Sequence, residues 1–139
     1  MAERDIFVTD TDFDRLNGLV AGARRSRMNQ EHVDRLAEEL DRARIVSPEE
    51  IPPDVVTMNS RIQLRDLDTN DAMEFVLVFP TEANVDEQRI SVLAPLGTAV
   101  LGYRAGSIIE WQVPARTRRL RIERVLYQPE AAASAGHAR

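Results

Sequence analysis

Lysine and cysteine are both absent from this 139-residue chain, and each absence removes chemistry. Without cysteine there are no disulfides, thiol nucleophiles or thiolate metal sites. All 18 basic residues are arginine, so there is no Walker A lysine, Schiff base or lysine general base. Histidine is nearly as scarce, with His32 and His137 alone. No apolar run approaches the roughly 20 residues of a membrane helix. Glu3, Arg4 and Asp5 stand where a signal peptide would be apolar. A cytoplasmic protein is the expectation, with no membrane partner, cofactor, metal or small-molecule substrate.

The remaining composition, 43% hydrophobic and 29% charged, describes a globular chain with one ordinary core or a modest domain plus a small appendage. A net charge of −5 argues against indiscriminate nucleic-acid binding. Positive charge is local, at Arg24, Arg25 and Arg27 and again at Arg116, Arg118, Arg119, Arg121 and Arg124. Either cluster offers phosphate contacts, but the acidic balance favours a solvated face or an acidic protein partner.

Helical periodicity is strongest near the start. Phe13, Leu16, Val20 and Ala23 form one stripe over residues 11–23, and Val33, Leu36, Ala37, Leu40 and Ala43 another over 31–44. Thr9 or Thr11 can cap the first helix, Gly22 can stop it, and Asn29 can cap the second. Asp12 and Asp14 suit the positive end of the first helix dipole. Glu31 with Arg35 and Glu38 with Arg42 add i,i+4 pairs to the second. The expected unit is a short antiparallel hairpin whose tip holds Arg24, Arg25, Arg27, Met28, Asn29 and Gln30 and no carboxylate.

At Ser47-Pro48-Glu49-Glu50-Ile51-Pro52-Pro53 a capping-box turn and two prolines mark a boundary, after which the period changes to 2. The alternation predicts a strand carrying Val56, Met58, Ile62 and Leu64, a turn over 66–71, and a strand carrying Met73, Phe75, Leu77 and Phe79. A loop over 80–87 and a short strand over 88–93 follow, then a helix from Pro95 to a stop at Gly102. Strands are expected over 107–113 and 120–127, the last bulged or at an edge because Arg124 falls in line with Leu120 and Ile122. The expected division is a hairpin over 1–51, a sheet domain over 52–130 and a flexible alanine-rich tail over 131–139.

Several of these segments resemble the Rnk family of nucleoside diphosphate kinase regulators, within the GreA/GreB transcription-factor superfamily. They are Asp54-Val55-Val56-Thr57-Met58-Asn59-Ser60-Arg61, Pro95-Leu96-Gly97-Thr98-Ala99-Val100-Leu101-Gly102, and Tyr127-Gln128-Pro129-Glu130. The resemblance implies an α+β fold, with a helical coiled-coil hairpin followed by an FKBP-like antiparallel sheet holding one short helix. It also implies a partner: RNA polymerase, docked at the rim of its secondary channel with the hairpin pointing inward. Carried over by position, the polymerase-binding loop is Leu93, Ala94 and Pro95, with Leu96 beside them.

Gre factors stimulate transcript cleavage with tip carboxylates beside a polymerase-bound magnesium ion, which requires hard oxygen ligands and a long hairpin. This tip is arginine-rich, its first acid is Glu31, and its helices are short, so binding in competition with Gre factors but without cleavage stimulation is expected, the alternative being an FKBP-like interaction module acting on another protein partner. A prolyl isomerase would need an aromatic pocket, whereas Phe75, Phe79 and Trp111 fall at sheet-core positions. Phosphotransfer through His32 or His137 is not supported by any phosphate-cradling loop, so an effect on nucleoside diphosphate kinase would be indirect.

Overall fold

The structure is a computed structural model that describes residues 6–27, 30–113 and 116–137; for 111–113 and 134–137 it describes the backbone. Strand β1 (Phe7–Thr9) leads into helix α1 (Asp10–Ser26), helix α2 (Gln30–Asp41) returns, and strand β2 (Arg44–Val46) closes the excursion. β1 and β2 pair in parallel, Phe7 opposite Arg44, Val8 opposite Ile45 and Thr9 opposite Val46. Sequence patterning did not disclose this clasp, because three-residue strands are too short to show alternation.

Thr9 is the N-cap of α1, its hydroxyl accepting the Asp12 N–H at 3.1 Å. Gly22 does not stop the helix. α1 runs on to Ser26, where Arg24 and Arg25 suit the negative end of the dipole, and Arg27 closes it at φ 60° with its N–H on the Ala23 and Arg24 carbonyls. α2 ends at Asp41, short of Arg44, whose N–H turns to the Ile6 carbonyl at 2.8 Å. The stripes meet as expected: Leu16 and Val20 pack with Val33, Leu36 and Leu40.

The same core continues into the sheet through Val56, Met58, Ile62, Leu64, Phe75, Leu77, Leu120 and Ile122. The hairpin therefore has no separate core, as expected of helices this short. At 47–50 the Glu50 carboxylate reaches back to the Ser47 N–H at 3.2 Å. Residues 55–60 are not the start of a strand. Val56, Thr57 and Met58 are all buried in sequence, and Asn59 turns the chain at φ 69°.

Strands β3 (Arg61–Asp66), β4 (Ala72–Val78), β5 (Arg89–Ser91), β6 (Ile108–Val113) and β7 (Arg116–Tyr127) form one sheet in the order β5-β4-β3-β7-β6. Only the β4–β5 pair is parallel. Helix α3 (Pro95–Val100) sends Leu96 and Val100 into the core. β7 is bulged, with its register shifting twice against β3, but it is an interior strand between β3 and β6. Helix α4 (Pro129–His137) takes in residues 131–137, which composition places in a flexible tail. The reason is Gln128: its Oε1 accepts the Ala131 N–H, while Nε2 donates to the Pro52 and Val55 carbonyls at 2.8 Å each.

Candidate functional site

Arg24, Arg25 and Arg27 are exposed at the end of α1, and Gln30 is exposed where α2 begins. Met28 and Asn29 lie outside the described residues. Arg24 reaches across the hairpin to Asp34 at 3.2 Å, an exposed ion pair worth at most about 1 kcal/mol. Arg25 and Arg27 leave the tip cationic. Glu31, the first acid after the turn, is an exposed first-turn residue of α2. At 17 residues α1 is about 26 Å long, and α2, at 12, about 18 Å. Among the described residues no cluster of three metal-ligating side chains occurs.

The 93–96 segment is a tight turn built on Ser91. The Ser91 hydroxyl accepts the Leu93 N–H and its carbonyl the Ala94 N–H, each at 3.0 Å. Pro95 is exposed, Leu93 and Ala94 are half-buried, and Leu96 is 5% exposed and belongs to the core. Gly97 is required here, because a Cβ would fall 2.2 Å from the Ser91 carbonyl oxygen. The surface available to a partner is thus Leu93, Ala94 and Pro95, held by hydrogen bonds to Ser91 and, through Leu96, by the core.

The second arginine cluster divides. Arg118 Nε donates to Asp66 at 2.7 Å, and Asp66 is fully buried. Burial alone would raise the Asp66 pKa, but the Asp68 and Thr69 N–H groups and Arg118 together hold it below the usual carboxylate range. Arg118 is therefore a structural counter-ion. Arg119 pairs with Asp68 at 3.4 Å, while Arg116, Arg121 and Arg124 are exposed. On the same sheet, Glu123 accepts from Arg65 at 2.7 Å and from Gln63 at 2.9 Å, and Arg65 holds its pKa down.

The hairpin neck holds residues whose roles the sequence concealed. Asp12, a dipole partner by position, is 7% exposed and accepts the Met58 N–H at 3.2 Å. Arg15 lies over the Phe79 ring at 4.3 Å. Arg42 pairs with Glu39 at 3.0 Å, three residues away rather than four, and donates to the Tyr103 hydroxyl. No local pattern marks the Asp12–Met58, Arg15–Phe79 and Arg42–Tyr103 contacts, since these partners lie far apart along the chain. Phe75 is buried as sheet core, Phe79 is half-buried beneath Arg15, and the Trp111 side chain lies outside the described ones. His32 is exposed on α2 and His137 falls in α4.

Residues 4–46 match the model described as Rnk N-terminus, and residues 51–127 match Transcription elongation factor, GreA/GreB, C-term. The Regulator of nucleoside diphosphate kinase of Escherichia coli K12 is 38% identical over 133 residues, covering 95% of this chain and 96% of that protein. Transcription elongation factor GreA of Alkaliphilus oremlandii is 34% identical over 85 residues, and the match spans 61% of this chain but only 54% of that protein. A solved GreA/GreB transcription elongation factor from Nitrosomonas europaea superposes with a TM-score of 0.74 at 37% identity, covering 90% of this chain and 100% of that one. These relatives are named as regulators or elongation factors, and among the described residues no helix is long and apolar enough to cross a membrane. The chain belongs to the GreA/GreB family of transcription factors, as a relative of the regulators of nucleoside diphosphate kinase.

Proposed function

We propose that this chain is a non-catalytic transcription regulator of the cytoplasm that binds bacterial RNA polymerase near its secondary channel. It competes there with Gre-type factors and does not stimulate transcript cleavage. The observation that carries this reading is the combination of a GreA/GreB-type domain with a short hairpin whose tip has arginines and no carboxylate. Leu93, Ala94 and Pro95 supply the docking turn, Leu96 and Gly97 hold it in shape, and the hairpin occupies the channel without bringing metal ligands to it. Arg25 and Arg27 touch the channel wall or nearby nucleic-acid phosphate.

The name of the Escherichia coli relative adds an effect on nucleoside diphosphate kinase. We place that effect downstream of transcription, because neither His32 nor His137 lies in a phosphate-binding loop. The decisive test is a pull-down of purified RNA polymerase by this chain, repeated with excess Gre factor. Capture that the competitor abolishes is expected; no capture, or capture the competitor leaves untouched, overturns the reading. Stalled elongation complexes should show no added transcript cleavage, and robust cleavage would refute the assignment of the tip.

A further inference from the structure

Two carboxylates from opposite ends of the chain converge on the buried turn over residues 57–60, and the docking role above uses neither. Asp12, from the first turn of α1, accepts the Met58 N–H. Glu130, from the first turn of α4, accepts the Thr57 hydroxyl at 2.7 Å. Ser60 braces Thr57, its Oγ 2.9 Å from both the Thr57 nitrogen and the Thr57 Oγ1. The charged groups bearing on Asp12 are Glu130 from α4 and Arg15 from α1, while β1 contributes the neutral Thr9 and the turn the neutral Met58 amide. Arg15 is committed elsewhere, over the Phe79 ring.

We propose that Asp12 and Glu130 form a proton-operated latch: with Asp12 protonated, α4 docks on the 57–60 turn, and with Asp12 ionised it is loosened. The physical basis is that two carboxylates on one turn, one of them buried, resist being charged together. Burial pushes Asp12 up to about 6; the Met58 N–H opposes the rise, the Glu130 charge adds to it, and Arg15 and Thr9 oppose it. Coupling of this kind is reciprocal. Whatever docked Glu130 adds to the proton affinity of Asp12, a proton on Asp12 adds to the docking of α4. Gln128 keeps the root of α4 attached through Pro52 and Val55, so loosening acts beyond that residue. The latch links the C-terminal helix to the hairpin neck through the 57–60 turn and makes the docking of that helix depend on pH.

Nuclear magnetic resonance of the full chain between about pH 5 and about pH 8 tests it, since this window spans the Asp12 titration. The readouts are the Asp12 carboxyl shift and hydrogen-exchange protection of the Ala132 amide, which bonds the Gln128 carbonyl. Asp12 and the α4 amides should titrate with a shared midpoint, with protection falling roughly five-fold across the window. Glu130→Gln should lower the Asp12 midpoint and flatten the α4 change, and Asp12→Asn should hold α4 docked throughout. Thr57→Val, which removes the anchor of Glu130, should lower protection already at the acid end and keeps the test alive if Asp12→Asn fails to fold. An α4 that ignores the Asp12 titration, an Asp12 midpoint unmoved by Glu130→Gln, or full protection in Thr57→Val at low pH each overturns the latch.

Discussion

At its neck the hairpin is buried and cross-tied, with Asp12 on Met58, Arg42 on Tyr103 and β1 paired to β2. At its tip Arg25 and Arg27 stand exposed, and the Arg24–Asp34 ion pair crosses between the helices in solvent. The contrast separates two tasks that a helical pattern alone merges. Neck residues decide where the hairpin points, through packing and buried polar contacts that tolerate little change. Tip residues decide what it carries, and they tolerate much, because their surroundings are water.

Substitutions at the two ends should therefore differ in size and even in sign. The largest effect is expected in the apolar seam that joins the hairpin to the sheet. Leu36 is fully buried, so Leu36→Ala should cost about 2–5 kcal/mol in urea unfolding, and a loss well below that range would show that the seam is not part of the cooperative core.

Next comes pH. Asp12 rises from 3.8 to about 6 in the folded chain, so between those values the folded state holds a proton that the unfolded chain has released. That stabilisation is complete below about pH 4 and is lost as pH rises through about 6, a change of about 3 kcal/mol at most. Asp66 and Glu123 act oppositely, because their depressed pKa values stabilise the fold above the usual carboxylate range and are lost as pH falls. A stability maximum in mildly acidic solution is expected, and Asp12→Asn should flatten its alkaline side; a thermal-melting series over pH checks both.

Glycines give the cleanest contrast of sign. Gly102 sits at φ +82°, and an added Cβ would lie 2.8 Å from the Ile6 Cβ, so Gly102→Ala should cost about 1–3 kcal/mol and free β1. Gly22, within α1 near the tip, would place a Cβ only near the Arg25 side chain at 3.8 Å. Gly22→Ala should then stabilise by about 0.5–1 kcal/mol. Equal effects at the two sites, measured by chemical unfolding, would contradict the division of the hairpin. Smallest of all is Arg24→Ala, for which a loss no greater than about 1 kcal/mol is expected, shrinking further in high salt.

Much of this was legible in the sequence because it is written locally. The helical stripes, the 66–71 turn, the Pro95 start of α3 and the missing tip carboxylates all follow from neighbouring residues. What escaped depends on distant partners. Asp12 looks like any first-turn acid until the 57–60 turn covers it, and Arg118 looks like one more surface arginine until Asp66 is buried beside it. Helix α4 has local signals that the tail reading passed over, Pro129 at its first position and an alanine run of high helix propensity, while its docking depends on Gln128 gripping carbonyls more than 70 residues earlier. Gly22 misled for a related reason. A glycine signals a helix end only when the chain leaves there, and here Arg27 takes the left-handed position instead.

The parallel clasp of β1 with β2 has a consequence for how such proteins diversify. The chain enters and leaves the hairpin side by side, so residues 10–43 form a loop closed at its throat, and the sheet meets that throat and the lower helix turns rather than the far end. Length is then an independent variable. Adding one heptad to each helix beyond Val20 and Val33 would preserve the facing stripe and carry the tip about 10 Å farther without altering the throat. Such a joint would let one body accept fingers of different reach and different end groups.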